Sequence, residues 1–187
     1  MTLQKLYILL SRSSSITSKI VYFFTKTTYT HSSLAFDEEL NQLYSSARKK
    51  GTRTFPAGPT RESLYKGFFG RDNHIPCAIY SLEVSDEVYN RAKAQIDFFM
   101  EHIDDYKFSA WGIIACKFGI KWERKNKYFC SQFLAEILTK SGALSFDKPN
   151  CLVHPRDYQT VPGIKLIFEG TIGEVKERVQ KKEATVC

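Results

Sequence analysis

The stretch over residues 128–134 constrains this chain most, because a cysteine stands where a basic run ends and a helix-periodic apolar run begins. After Cys130, apolar residues recur at helical spacing and a glycine follows them: Phe133, Leu134, Ile137, Leu138 and then Gly142. This pattern predicts a helix of about three turns that ends at the glycine. Cys130 is expected in the first turn of that helix.

A cysteine at a helix start is a candidate nucleophile. The unpaired N–H groups and the positive end of the helix dipole favour thiolate over thiol. Positive charge near a thiol lowers its pKa further, and four cations precede Cys130: Lys121, Arg124, Lys125 and Lys127. The alternative is a buried structural cysteine that packs as a small hydrophobic side chain.

A second segment, over residues 29–37, offers a candidate base. There His31 opens an alternating run that is typical of a strand. A thiol nucleophile needs a base within hydrogen-bond reach. An imidazole held at a strand end can take the thiol proton and later pass it to a leaving group. A surface or structural role is the alternative for His31.

Four segments, in this order, resemble those of one enzyme family: residues 6–12, 29–35, 43–48 and 128–133. Together they are similar to circularly permuted papain-like hydrolases, and within these to the YiiX-type branch of the NlpC superfamily. In ordinary papain-like chains the cysteine helix precedes the histidine strand, whereas here the histidine comes first. The resemblance runs to about Gly170 and implies that Cys130 is the nucleophile and His31 the base.

The third, orienting residue departs from the family pattern, in which a carboxylate or amide often follows on the next strand. If a tight hairpin turn joins the two strands, Leu34 pairs with Leu43 and His31 falls opposite Ser46. A slip of one residue substitutes Ser45. The resemblance favours Ser45, whereas the register count favours Ser46.

Glu62, in the loop that follows, is a third candidate for the orienting residue. A serine hydroxyl can accept a hydrogen bond from imidazole, but it cannot stabilise imidazolium as a carboxylate does. In the alternative, Glu62 binds substrate. Tyr44 and Tyr128 are also expected to hold substrate or oxyanion.

Composition and element order predict an α+β fold with a mostly antiparallel sheet packed against helices. The 187 residues, 43% of them apolar, suffice for one domain. The resemblance implies a permuted papain-like domain over residues 1–172, and residues 173–187 are expected to form a charged, solvent-exposed helix or tail. The strands are predicted at residues 3–10, 31–36, 41–47, 78–84 and 165–171, the other helices at 17–24, 86–103 and 110–118, and a glycine- and proline-rich loop after residue 47.

The sequence predicts neither a metal site nor a cofactor. Its five cysteines leave an odd thiol and show no C-x-x-C spacing, which argues against a disulfide framework and a zinc finger. The longest apolar stretches are far shorter than the roughly 20 residues that cross a bilayer. The first residues do not read as a secretory signal. A cytoplasmic location is therefore predicted.

The net charge of +7 is concentrated after the second predicted hairpin strand. One stretch contains seven cations: Arg48, Lys49, Lys50, Arg53, Arg61, Lys66 and Arg71. Such a cluster could attract an anionic substrate or a lipid head-group surface, or it could be a solvated loop. A nucleic acid is not expected as the partner, because no binding motif accompanies the charge.

These observations predict a cysteine-dependent hydrolase or acyl-transfer enzyme that works through a thioacyl intermediate. By resemblance the expected substrate is a peptide or isopeptide amide, and a lipid ester or amide comes second. The alternative from another class is a binding module without turnover on the same fold.

Overall fold

The computed structural model describes residues 2–12, 28–48 and 57–186 and has an α+β architecture. The main sheet contains β1 (Leu3–Ser11), β2 (His31–Ala35), β3 (Leu43–Arg48), β4 (Ala57–Glu62), β5 (Pro76–Ser85) and β8 (Ile164–Thr171). Its order is β4-β3-β2-β1-β5-β8, and all neighbouring strands are antiparallel. Two short parallel strands, β6 (Lys107–Phe108) and β7 (Lys127–Tyr128), pair separately.

The described helices cover both faces of the main sheet. They are α1 (Gly67–Arg71), α2 (Asp86–Glu101), α3 (Ala110–Lys117), α4 (Cys130–Ser141) and α5 (Ile172–Val186), with short 3-10 helices at Asn150–Leu152 and Pro155–Gln159. The predicted helix over residues 17–24 lies outside the described residues.

β1 is central and is buried on both faces, which explains its continuous apolar run. Leu6, Ile8 and Leu10 point into the larger core cluster, with α2 and α4. Tyr7 and Leu9 point into the smaller cluster, with α1 and α5. Because successive side chains of a strand point to opposite faces, this one segment contributes apolar side chains to both core clusters.

The helix that carries the cysteine is formed as predicted. It begins at Cys130, and Phe129 is its N-cap. It ends at Gly142, which adopts the left-handed conformation with φ 79° that suits glycine. Ser85 also caps α2 as predicted, because its side chain accepts a hydrogen bond from the Val88 N–H. Local signals thus define both ends of α4 and the start of α2.

The stretch predicted as a glycine- and proline-rich loop contains regular structure instead. β4 and α1 lie within it, and β4 pairs with β3 along its whole length. Pro59 argued against a strand, because proline cannot donate a backbone hydrogen bond to a neighbouring strand. β4 is at the edge of the sheet, however, where a residue without an N–H is tolerated. The loop prediction was therefore wrong for residues 57–62, and this error affects the site.

The hairpin between β2 and β3 has a different register from the predicted one. Leu34 pairs with Tyr44 rather than with Leu43. The turn is one residue longer because the Asp37 carboxylate accepts hydrogen bonds from two backbone N–H groups in it. Leu40 takes up the left-handed conformation that closes this wider turn.

The last helix, α5, is part of the folded core on one face. Ile172, Val175 and Val179 recur at helical spacing and are buried in the smaller cluster. The expectation of a solvent-exposed helix was wrong for this face, because the many charged residues between these positions masked the apolar stripe. In the described part of the chain, no helix is long and apolar enough to span a bilayer.

Candidate active site

Three secondary-structure ends bring the candidate residues together. His31 is the first residue of β2, Cys130 is the first residue of α4, and Glu62 is the last residue of β4. α4 packs across β2 and β3, which places its N-terminus beside the start of β2. Residues separated by almost 100 positions in the sequence therefore meet at one point.

The His31 imidazole lies within reach of the Cys130 thiol, and a side-chain hydrogen bond between them shifts the pKa of both groups. On the other side of the ring, His31 Nε2 lies 3.0 Å from Glu62 Oε1 and 3.3 Å from Oε2. Because Nε2 is engaged by the carboxylate, Nδ1 is the nitrogen left for the thiol. The order is thiol, imidazole and carboxylate, which is the arrangement of a catalytic triad.

The electrostatics of this pair favour thiolate and imidazolium. Burial acts to raise the pKa of Cys130, but the hydrogen bond and charge of His31 outweigh it, and the pKa is lowered. Burial acts to lower the pKa of His31, but the charge of Glu62 and the bond with Cys130 raise it to about 10. The two opposite shifts favour transfer of the thiol proton to the imidazole, and hence a charged nucleophile.

Backbone groups also stabilise the thiolate. The N–H groups of Ser32 and Ser131 hydrogen-bond to Cys130 and lower its pKa. Ser131 contributes through the open first turn of α4, where N–H groups have no partner within the helix. The four upstream cations were expected to contribute, and the largest lowering effects come from His31 and these two backbone groups.

Ser33 is a fourth member of the site that sequence reasoning missed. Its hydroxyl donates to Glu62 Oε2 at 2.5 Å and lies 3.3 Å from His31 Nε2. Ser33 follows His31 by two residues, so the two side chains share one face of β2. That spacing was the signal that could have found it.

The site is enclosed but not sealed. Cys130 is 7% exposed, and the side chains of His31 and Glu62 are 12% and 10% exposed. Among the described residues, three buried side-chain atoms lack a hydrogen-bond partner, and all lie nearby in the fold: Ser11 Oγ, Ser32 Oγ and Gln132 Oε1. Ser11 pairs with His31 across the sheet. Buried polar atoms usually have a hydrogen-bond partner, so these three atoms can accept one beside the reacting pair.

The two serines predicted to orient the imidazole make other bonds. Ser45 Oγ donates to the Ser32 carbonyl at 2.8 Å, and Ser46 Oγ donates to the Tyr128 carbonyl at 2.8 Å. The register shift explains the difference, since the pairing of Leu34 with Tyr44 moves both serines relative to the prediction. They join β3 to β2 and to β7, and the carboxylate of Glu62 takes the position at the ring.

The two tyrosines predicted to hold substrate pack at the border of the larger core cluster. The Tyr128 ring makes edge contacts with Phe99 and Phe133, and burial raises its pKa to about 12. The Tyr44 ring makes an edge contact with Phe36. Their role in binding substrate stays a prediction.

A second cysteine and histidine pair exists at Cys116 and His154. The Cys116 Sγ atom lies 3.6 Å from His154 Nε2. Here burial dominates, so the pKa of Cys116 is raised to about 12 and that of His154 is lowered. Both groups therefore stay neutral at physiological pH. The described residues contain no cluster of three or more metal-ligating side chains.

Comparison with known proteins does not assign this chain to a family. No protein-family model matches it, and no curated protein matches it either.

The electrostatics predict selective alkylation of Cys130. At pH 6 iodoacetamide should label Cys130 ahead of Cys77, Cys116 and Cys151, because burial raises the pKa of each of these three. The thiolate fraction of Cys130 should fall only when the pH drops below its own lowered pKa. Peptide mapping by mass spectrometry measures the labelling. In His31→Gln the preference should vanish, and equal labelling of all four thiols in the folded wild type would contradict an activated thiolate.

Proposed function

We propose that this protein is a cysteine-dependent hydrolase or acyl-transfer enzyme that attacks an amide bond. The single observation that carries the proposal is the chain of contacts from Cys130 at the helix start, through His31, to Glu62. A buried structural cysteine needs no imidazole beside it, and a structural histidine needs no thiolate. The lowered thiol pKa and the raised imidazole pKa belong to one reacting pair.

The proposed reaction begins with attack of the Cys130 thiolate on the substrate carbonyl carbon. The carbonyl electron pair moves to oxygen, and the N–H of Cys130 at the open end of α4 donates to this oxyanion. As the C–N bond breaks, the imidazolium of His31 gives its proton to the leaving amine. A thioester on Cys130 remains, and neutral His31 then takes a proton from water or another acceptor as that group attacks the thioester carbon. The C–S bond breaks, which releases the acyl product and restores the Cys130 thiolate beside imidazolium.

Glu62 stabilises the imidazolium form in each half of the cycle. Its carboxylate holds Nε2, so the ring keeps the orientation that aims Nδ1 at the thiol. The strongest argument for a binding module without turnover was the lack of a carboxylate on the strand after the histidine. Glu62 supplies that carboxylate from β4, the second strand after β2 in the chain. Its presence favours the enzyme hypothesis over the binding module.

The order of the site residues supports a permuted papain-like fold as part of the proposal. Histidine, carboxylate and cysteine follow one another at His31, Glu62 and Cys130, and the cysteine helix packs on the histidine strand. By resemblance, a peptide or isopeptide amide is the first substrate class and a lipid ester or amide the second. The cytoplasmic location also stays a prediction.

Trapping the thioacyl intermediate tests the proposal. Purified protein is mixed with pools of acyl amides, esters and peptidoglycan fragments, and intact-protein mass spectrometry at early times detects the acyl adduct. Peptide mapping should place the adduct on Cys130, and Cys130→Ala should remain unmodified. Turnover in Cys130→Ala, or an adduct confined to another residue, would contradict the proposed nucleophile.

Removing the Ser33 hydroxyl should impair turnover through the orientation of its neighbours. Ser33→Ala is expected to lower kcat on the order of tenfold, because a hydrogen bond to a charged group contributes about 1.5 kcal/mol or more. KM should change little, and Ser33→Thr should restore most of kcat because it returns the hydroxyl. Unchanged kcat in Ser33→Ala would show that Glu62 holds His31 without this bond.

A further inference from the structure

The surface around α3 exposes an unusual concentration of large apolar side chains. Five lie within residues 111–122 and are between 44% and 68% exposed: Trp111, Ile114, Phe118, Ile120 and Trp122. These include both tryptophans of the protein. Single exposed apolar side chains are ordinary, but five of them within one short helix and the turn after it are typical of an interaction site. We call this group the α3 surface.

The α3 surface results from the spacing of apolar residues on the helix and from a backbone hydrogen bond that holds the turn after it. Trp111, Ile114 and Phe118 recur at helical spacing, so they share the outer face of α3. The inner face consists of small buried residues, namely Gly112, Ala115 and Cys116. Beyond the helix, the Ile120 N–H donates to the Ala115 carbonyl at 2.9 Å. The backbone is thus hydrogen-bonded where the apolar side chains point outward.

Cations border the α3 surface. Lys121, Arg124 and Lys125 are exposed directly after the apolar residues, and Glu123 is the one acid between Trp111 and Lys127. The turn that presents them is defined by a bridge between Arg124 and Lys127. The Lys121 to Glu123 ion pair is 3.8 Å long and more than half exposed, so it neutralises little of this charge.

We propose that the α3 surface docks this protein on an anionic lipid bilayer. Tryptophan prefers the interface between water and acyl chains, and aliphatic and phenylalanine side chains insert beside it. Lysine and arginine next to such a face are attracted to anionic head groups. A nucleic acid would use the aromatic rings for stacking, but Ile114 and Ile120 offer no such platform. Protein interfaces also bury aromatic side chains inside a polar rim, so a protein partner is kept as an outcome of the test.

The α3 surface is joined to the candidate active site. The Ser109 N–H, just before α3, donates to the Tyr128 carbonyl at 3.1 Å, two residues before Cys130. A Cβ atom built on Gly112 would lie 3.2 Å from the Phe129 ring, so α3 packs closely against the start of α4. Docking would therefore bring the N-terminus of α4 towards the bilayer. The docking itself needs no chemistry at Cys130.

Intrinsic fluorescence and vesicle sedimentation test the proposal, since both tryptophans lie in the α3 surface. Vesicles of phosphatidylcholine with about one third phosphatidylserine should pull down the wild-type protein and shift tryptophan emission to the blue. Binding should weaken with added salt and be much weaker for pure phosphatidylcholine. Unchanged emission, with the wild type left in the supernatant, would overturn the proposal and leave a protein partner as the occupant.

Two variants separate the apolar and the charged contributions. Phe118→Ala with Ile120→Ala keeps both tryptophans as reporters and should weaken binding more than about tenfold. Replacing Lys121, Arg124 and Lys125 with glutamine should weaken it on the order of a hundredfold, since each charge near an anionic surface contributes about 1 kcal/mol. Equal binding of wild type and both variants would overturn the proposal.

Matched controls use similar residues elsewhere. Phe98→Ala with Leu166→Ala removes two side chains of comparable exposure, and glutamine at Lys5, Lys93 and Lys165 makes the same change in net charge. These controls should bind like the wild type, and losses as large as those of the α3 variants would contradict a localised surface. Cys130→Ala should also bind normally, and the α3 variants should keep low-pH alkylation of Cys130. A failure of docking is thereby distinguished from a failure of the catalytic proposal.

Discussion

Cys130→Ala is expected to reduce turnover by at least about 10⁴-fold, because it removes the thiol on which the proposed thioacyl intermediate forms. Alanine fills nearly the same volume, so the variant should fold and its thermal unfolding midpoint should stay close to that of the wild type. The measurement is kcat/KM on any substrate found by the adduct screen, together with circular dichroism of both proteins.

Cys116→Ala is the matched control for that prediction. Cys116 is also a buried cysteine on a helix with a histidine nitrogen in contact, but its pKa is raised to about 12 by burial. Its replacement should leave kcat/KM within about threefold of the wild type. The acyl adduct on Cys130 should still form in this variant. If Cys116→Ala were inactive and Cys130→Ala active, the nucleophile would belong to the pair with His154.

Glu62→Gln should lower kcat by about 10²- to 10³-fold, because glutamine keeps the shape of the side chain but loses the charge that stabilises imidazolium. The pH profile should change in a defined direction. Glu62 raises the pKa of His31, so without its charge the imidazolium deprotonates at lower pH. The alkaline limb of the kcat profile should therefore move towards acid.

The same substitution should lower stability in a pH-dependent way. The pKa of His31 is raised from 6.5 to about 10 in the folded protein, so this group stabilises the fold fully below pH 6.5. That contribution is lost as the pH rises towards 10. Breaking a buried ion pair costs about 3 kcal/mol, so Glu62→Gln should reduce the free energy of unfolding most in acid. Urea unfolding at several pH values measures the difference.

The two serine variants are the controls for Glu62. Ser45 and Ser46 hydrogen-bond to backbone carbonyls, so Ser45→Ala and Ser46→Ala should lower stability by about 1 kcal/mol each and leave kcat within a few-fold. Full activity of Glu62→Gln with inactive serine variants would instead assign the orienting role to β3.

Local sequence patterns were sufficient for the elements that carry the two reacting groups. The apolar period after Cys130 and the glycine at position 142 define α4, and Ser85 caps α2. These features depend on interactions within a few residues, such as capping bonds and one buried helix face. For the same reason the α+β class with an antiparallel sheet followed from the order of the strands and helices.

The sequence did not single out the third residue of the site among Ser45, Ser46 and Glu62. Glu62 reaches His31 only because a proline-containing edge strand pairs with β3 and because the preceding hairpin turn is one residue longer than the shortest one. The strand pairing is a contact between separate segments, and the length of the turn depends on how the Asp37 carboxylate accepts hydrogen bonds from the N–H groups of residues four and five positions later. A shift of one residue in register was enough to favour the serines over the carboxylate.

By itself, the sequence determined that a cysteine starts a helix and that a histidine starts a strand, since both follow from local periodicity. Only the tertiary structure decided that Cys130, His31 and Glu62 touch, that Ser33 joins them, and that the outer face of α3 stays uncovered by described residues. Burial and pairing across the sheet are properties of the whole fold. The altered pKa values of the thiol and the imidazole arise from the contacts of this site, which outweigh the opposite effect of burial and which no local pattern encodes.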